Sequence, residues 1–299
     1  MLQFQPPGFG QHVLPTSRGV MAYYTPDDSF WRSPQSQSSQ PPLVFLHSLG
    51  GGSSAYEWSH IYPAFAADYR VIAPDLVGWG QSAHPALDYQ PEDYLAIATE
   101  LLEFVGGGVT VVASSLMGGY GVRVAIARPD LIKSLFLVSP AGYEDFGVSY
   151  RSGLGARLAG LPGLNQLIYA AGAANEWAIR NFMEQFLFAN PARITEEMVQ
   201  AYLASALQQN AEYAALAALR GDLFFDLARY LPDLTQPTTI VWGEQSFFNS
   251  PEMGERLAKL NPKAVRSFQV VSGAGVLPHL EQPESVMGRL QNWLESSGA

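Results

Sequence analysis

Cysteine is absent from the 299 residues, and that gap alone excludes disulfides, thiolate metal ligands and a cysteine nucleophile. Charge is scarce too: Asp, Glu, Lys and Arg make up 15% of the chain, and the acidic ones prevail to give a formal net charge of −10. No cluster of Lys and Arg occurs, so the cations that would neutralise nucleic-acid phosphates are missing. Long apolar runs are missing as well. None approaches the roughly 20 residues needed to span a bilayer. The opening MLQFQPPGFG lacks the basic-then-apolar order of a signal peptide. The expectation is a soluble, cytoplasmic protein without a transmembrane segment, with peripheral membrane association left open. No set of His, Asp and Glu has metal-ligand spacing, and neither a metal nor a cofactor is expected.

What the chain does have is apolar residues, 47% of the total, ample for one core carrying an insertion. Gly19–Tyr24, Leu43–Leu46, Arg70–Pro74, Val109–Ser115 and Lys133–Ser139 read as strands. Leu43–Leu46 and Arg70–Pro74 have the continuous apolar character of buried parallel strands. Between strands, a helical stretch runs through Trp58 and Ile61, Pro91–Phe104 has proline in its first turn, and Met117–Arg128 is closed by Pro129. From about Gly142 to Leu234 the alternation stops, and Asn175–Phe188, Thr195–Gln208 and Ala211–Tyr230 read as helices with no strand between them. It resumes with strand Thr239–Trp242, a helix near Pro251–Leu260, strand Val265–Val271 and helix Pro283–Leu294. The fold expected is α/β, a mostly parallel sheet of about eight strands with helices on both faces. Its core divides into residues 1–141 and 235–299, with a helical lid inserted at 142–234.

Four motifs sit at the joints of this pattern. Leu46-His47-Ser48-Leu49-Gly50-Gly51 follows one buried strand, and Pro74-Asp75-Leu76-Val77-Gly78-Trp79-Gly80-Gln81-Ser82 follows the next. Ser114-Ser115-Leu116-Met117-Gly118-Gly119 joins a strand to a helix. Gly273-Ala274-Gly275-Val276-Leu277-Pro278-His279, with Glu281 and Pro283, precedes the last helix. In this order, from about Val20 to Leu294, the chain resembles the α/β-hydrolase fold family, in its lid-bearing branch of epoxide hydrolases, haloalkane dehalogenases and small esterases. The resemblance implies an oxyanion loop with Ser48 where glycine is usual, a P-D-x-x-G-x-G-x-S turn, a nucleophile elbow and a histidine loop. Val241-Trp242-Gly243-Glu244-Gln245-Ser246 is similar to the W-G-x-x-D acid loop.

That family's chemistry needs a nucleophile on a strained strand-to-helix turn, a histidine to take its proton and a carboxylate to orient the histidine. Carried over residue by residue, those places hold Leu116, Val276 and Ser246. The elbow is framed on Leu116 because only this frame sets the small residues Gly118 and Gly119 beyond the nucleophile. Triad members fail as a unit, and losing one costs about 10⁴–10⁶ in turnover. Triad hydrolysis is therefore not expected, and no catalytic residue is assigned. His279 is the fallback candidate, with a structural role expected of it, of His47 and of the loop pair Glu244 and Gln245. Gly153–Gly160 looks like a dinucleotide loop but has no strand before it and the wrong glycine spacing.

The expected ligand pocket, between lid and sheet, draws on Ser48, Leu49, Ser115, Leu116, Met117, Ser246, Phe247 and Val276. Lid residues Tyr169, Trp177, Phe182, Phe186 and Leu187 are expected mainly to pack the lid onto the sheet, with some facing the pocket. Three readings follow. One is a pseudo-hydrolase that binds an apolar or amphipathic small molecule or a protein partner. Another is a non-hydrolytic enzyme such as a cyclase, isomerase or lyase; the third is a hydrolase with an unconventional catalytic set. A titratable group facing the pocket would favour an enzyme.

Overall fold

A computed structural model describes residues 4–27, 40–147, 169 and 174–297. Eight strands form one sheet in the order β1-β2-β4-β3-β5-β6-β7-β8. They are β1 Phe9–Thr16, β2 Gly19–Pro26, β3 Pro42–Leu46, β4 Arg70–Pro74, β5 Val109–Ser114, β6 Ile132–Val138, β7 Thr238–Gly243 and β8 Val265–Val271. β2 runs antiparallel to both of its neighbours, β1 and β4, and all other neighbouring strands pair in parallel. This is the sheet that the strand–helix alternation implies. β1 is the addition: its residues are largely exposed at the sheet edge, so FGQHVLPT carries no apolar periodicity to announce it.

Every residue of β5 and β7 is buried, as expected for strands covered on both faces. Successive side chains divide between the layers. Val111, Ala113, Leu135, Leu137 and Ile240 join the core under the helices Pro91–Val105 (α1) and Ser115–Ala127 (α2). Val112, Phe136, Val138 and Val241 face the opposite layer with Trp58 and Trp293, the last from the C-terminal helix Pro283–Ser297. That two-residue period follows from the pleat.

Between β6 and β7 the described residues contain α3 Glu176–Phe182, α4 Glu196–Ala206 and α5 Ala211–Arg220, and no strand. Two helices are shorter than their apolar spacing suggests. α3 gives way to one wider turn at Met183–Leu187. α5 stops at Gly221, whose φ of 80° caps a helix rather than continuing it. The stretch around Trp58 is likewise two short turns, Ala55–Trp58 and Tyr62–Phe65. Gly153–Gly160 lies outside the described residues. Among those residues no helix is long and apolar enough to cross a membrane.

After α6, Pro251–Ala258, the amide of Asn261 closes the return to the sheet. It donates to Leu231 O at 2.9 Å and Leu234 O at 2.8 Å, and accepts from Ala264 N at 3.1 Å. Replacing a buried group that satisfies several backbone atoms leaves those atoms unpaired. Asn261→Ala is expected to cost about 2–3 kcal/mol, read as a melting temperature lowered by roughly 5 °C.

Candidate functional site

The joint between β5 and α2 carries the strain. Ser114 is extended, Ser115 takes φ 51°, and the helix begins at once. A left-handed φ at a residue with a Cβ costs roughly 1–2 kcal/mol and marks a turn that its surroundings enforce. The tip of the elbow is therefore Ser115, one residue before the Leu116 that motif spacing selects. The glycine pair explains the discrepancy. A Cβ on Gly118 would stand 3.0 Å from Pro140 Cβ, and one on Gly119 would stand 2.9 Å from Ala141 O. Those glycines are required where the exit from β6 crosses α2, not by the turn itself. Ser115 Oγ lies 2.8 Å from the hydroxyl of Tyr143.

The loop at residues 273–279 and the loop at residues 243–246 lie against each other. Gln245 N donates to Ala274 O at 2.9 Å. A Cβ on Gly243 would fall 1.8 Å from Gly275 O. Val276 N donates to Leu187 O at 2.9 Å, and its buried side chain lines the cavity. The Glu281 carboxylate fixes the loop from below: it accepts from Gly275 N at 2.7 Å, Ala189 N at 3.0 Å and Asn190 N at 2.9 Å, and pairs with Arg193 at 3.0 Å. Glu244 stitches the same region. Its carboxylate accepts from Gly273 N and Ser272 Oγ, each at 2.8 Å, and these bonds hold its pKa below the ordinary value.

The cavity occupies about 280 Å³ between the loops at the carboxyl ends of the strands and the helices α3–α5, the usual place for a ligand in such sheets. Of the eight residues expected at a pocket, Ser48, Leu49, Ser115, Leu116 and Val276 line it. The other three expected residues do not. Met117 is fully buried in the core, Ser246 is half-buried outside the cavity, and Phe247 is 61% exposed. Phe248 lines the wall in place of Phe247. Of the residues that the sequence assigns to a lid, Tyr169, Phe182 and Leu187 face the cavity, while Trp177 is 74% exposed to solvent. No charged side chain is among the described lining residues.

All five histidines are placed away from Ser115. His12 stacks on Tyr23 along β1, and His60 is exposed with its ring edge toward Tyr56. His84 Nε2 is 3.1 Å from Gly80 O. His47 accepts from Leu76 N at Nε2, 2.9 Å, so its Nδ1 carries the proton given to Ser48 O at 2.6 Å. His279 is fully buried, stacked on Trp58 with centroids 4.0 Å apart and Nε2 3.6 Å from Glu57 Oε2. Burial pushes its pKa below the ordinary value, against the pull of Glu57. The fallback candidate is outside the cavity.

Glu57 is the group that motif reasoning missed. Its buried carboxylate accepts from Ser48 N at 2.8 Å, Ser48 Oγ at 2.7 Å and Tyr202 OH at 3.0 Å. Burial alone would raise its pKa, but His279, His47 and the Ser48 N–H outweigh that and hold it at about 2. A lone acid inside the aromatic stretch AYEW is the signal that marks it: a charge buried there must be paired. Among the described residues no three His, Asp or Glu side chains gather closely enough to hold a metal.

Comparison with known proteins agrees with this fold. The Alpha/beta hydrolase family model matches residues 43–289. Lipase 1 of Psychrobacter immobilis is 29% identical over 228 residues, covering 75% of this chain and 68% of the lipase. Among solved structures, a haloalkane dehalogenase of Bradyrhizobium elkani superposes with a TM-score of 0.77 at 20% identity, covering 97% of this chain and 99% of that one. A thermophilic esterase of Thermogutta terrifontis gives 0.75 at 22% identity, over 97% of this chain and all of the esterase's, 100%.

Proposed function

The chain belongs to the alpha/beta hydrolase family, and on that footing we propose that it is a pseudo-hydrolase, a binding protein for an apolar or amphipathic small molecule. In this reading the molecule sits in the cavity, and residues 142–234 serve as its lid. What supports the proposal is that none of the five histidines is a hydrogen-bond partner of Ser115, while Val276 lines the cavity at the position where the resemblance implies the imidazole. Ser115 keeps the strained turn, but its partner is the Tyr143 phenol. A protonated phenol is a poor base, and a serine without a base is a weak nucleophile. The absence of charged side chains from the described lining favours binding over a lyase or isomerase, which would need a general acid or base there.

Reactivity at Ser115 tests this directly. A fluorophosphonate is expected to leave the protein unlabelled over hours, and Ser115→Ala should change p-nitrophenyl butyrate turnover by less than about twofold, since only background from binding and oriented donors remains. The apolar fluorophore N-phenyl-1-naphthylamine should bind with enhanced emission. A rapid Ser115 adduct seen by mass spectrometry overturns the proposal, as does a protein that fails to bind the fluorophore.

A further inference from the structure

The protons around Glu57 all run one way. A carboxylate only accepts hydrogen bonds, so the Ser48 and Tyr202 hydroxyls must both donate to it. Ser48 has then used its single proton, and the 2.9 Å contact between Ser48 Oγ and Ser53 Oγ must be a donation from Ser53. Ser53 Oγ in turn accepts from Gly50 N at 3.1 Å. Ser48, Ser53 and Tyr202 all line the cavity. The wall there presents hydroxyl oxygens whose protons are committed inward, with a buried negative charge behind them. No lysine, arginine or histidine is among the described lining residues to offset it.

We infer that the Ser48–Ser53 corner selects the polar end of the ligand, taking a hydrogen-bond donor such as an alcohol or amine and turning away a carboxylate. This rests on the binding reading above and adds the head-group chemistry to it. A ligand hydroxyl or ammonium finds acceptor lone pairs at Ser48 Oγ and Ser53 Oγ. A carboxylate finds no proton to accept from these side chains and is repelled by Glu57 across a water-poor wall, where like charges are poorly screened. The apolar remainder of the cavity, with Leu116, Leu216, Leu219 and Val276, takes the chain of an amphiphile.

Displacement of N-phenyl-1-naphthylamine by octanol, octylamine and octanoate at neutral pH tests the inference. Octanol and octylamine are expected to displace it at concentrations roughly thirtyfold or more below octanoate. Part of that preference is the general reluctance of an anion to leave water, so the variants decide. Glu57→Gln should shrink the octanol-to-octanoate ratio by about tenfold. Ser53→Ala should weaken octanol about three- to tenfold more than it weakens the fluorophore, whose affinity is measured directly on the same variant. Should Glu57→Gln not fold, Ser53→Ala carries the comparison. Octanoate binding as tightly as octanol, or octanol affinity unmoved in Ser53→Ala, overturns the inference and leaves the binding reading standing. A wild-type protein that takes up no fluorophore removes both.

Discussion

Val276→His combined with Ser246→Asp is expected to raise hydrolysis of p-nitrophenyl butyrate by about 10²–10⁴-fold, the usual contribution of a positioned general base. The size of the effect follows from how much of the machinery stands. The strained tip already bears Ser115, and the histidine loop is held by the four contacts of Glu281. The acid loop is joined to it through Gln245 N and Ala274 O. In the binding reading proposed above, the site lacks an imidazole facing Ser115 and a carboxylate behind it. Adding Ser115→Ala to the pair should return the rate to background. The complementary set, Val276→His and Ser246→Asp with Leu116→Ser and Ser115→Ala, should stay near background, because residue 116 lies in the helix past the tip. Initial rates on folded variants measure all three. Equal gains with serine at 115 or at 116 would mean that the strained φ does not define the reacting position.

Glu57→Gln carries the largest expected change in stability, and the change should depend on pH. The Glu57 carboxyl has an ordinary value of 4.5 and is held at about 2 in the fold, so the folded state binds fewer protons than the unfolded one between those values. Its stabilisation is complete above the unfolded value and is lost as pH falls toward the folded one. His279 acts in the same sense. Burial lowers its pKa from 6.5, so the neutral ring favours the fold and that advantage fades as pH drops below 6.5. Asp75 and Asp145 oppose both, because burial raises their pKa values and acid relieves the strain of keeping them charged. The comparison is therefore wild type against Glu57→Gln by urea unfolding. The gap seen at neutral pH should narrow progressively as pH falls toward 3. A gap that is flat with pH would show that the carboxylate's charge contributes nothing.

The sheet and the joints between its elements were readable from apolar runs and four motifs, because buried strands and tight turns leave strong local signatures. The frame of the elbow was not. Gly118 and Gly119 satisfy a motif by spacing, yet their need for hydrogen in place of a side chain comes from Pro140 and Ala141, which no local pattern contains. The Glu57 cluster was hidden for the same reason, as its partners Ser48, Tyr202 and His279 lie up to 222 residues away in sequence. The end of α5 was legible and overlooked: Gly221 lies inside an apolar repeat that runs on past it, and its φ of 80° stops the helix there.

The contact of Gly243 with Gly275 O has a consequence for how such a chain can change. A methyl group at residue 243 would overlap the facing carbonyl oxygen at 1.8 Å, and one at residue 275 would overlap Leu187 O at 2.3 Å. Steric exclusion therefore guards the backbone of both loops whether or not anything reactive is mounted on them. Side chains at 246 and 276 can vary without meeting that clash, whereas the backbone beneath them cannot take on so much as a methyl group.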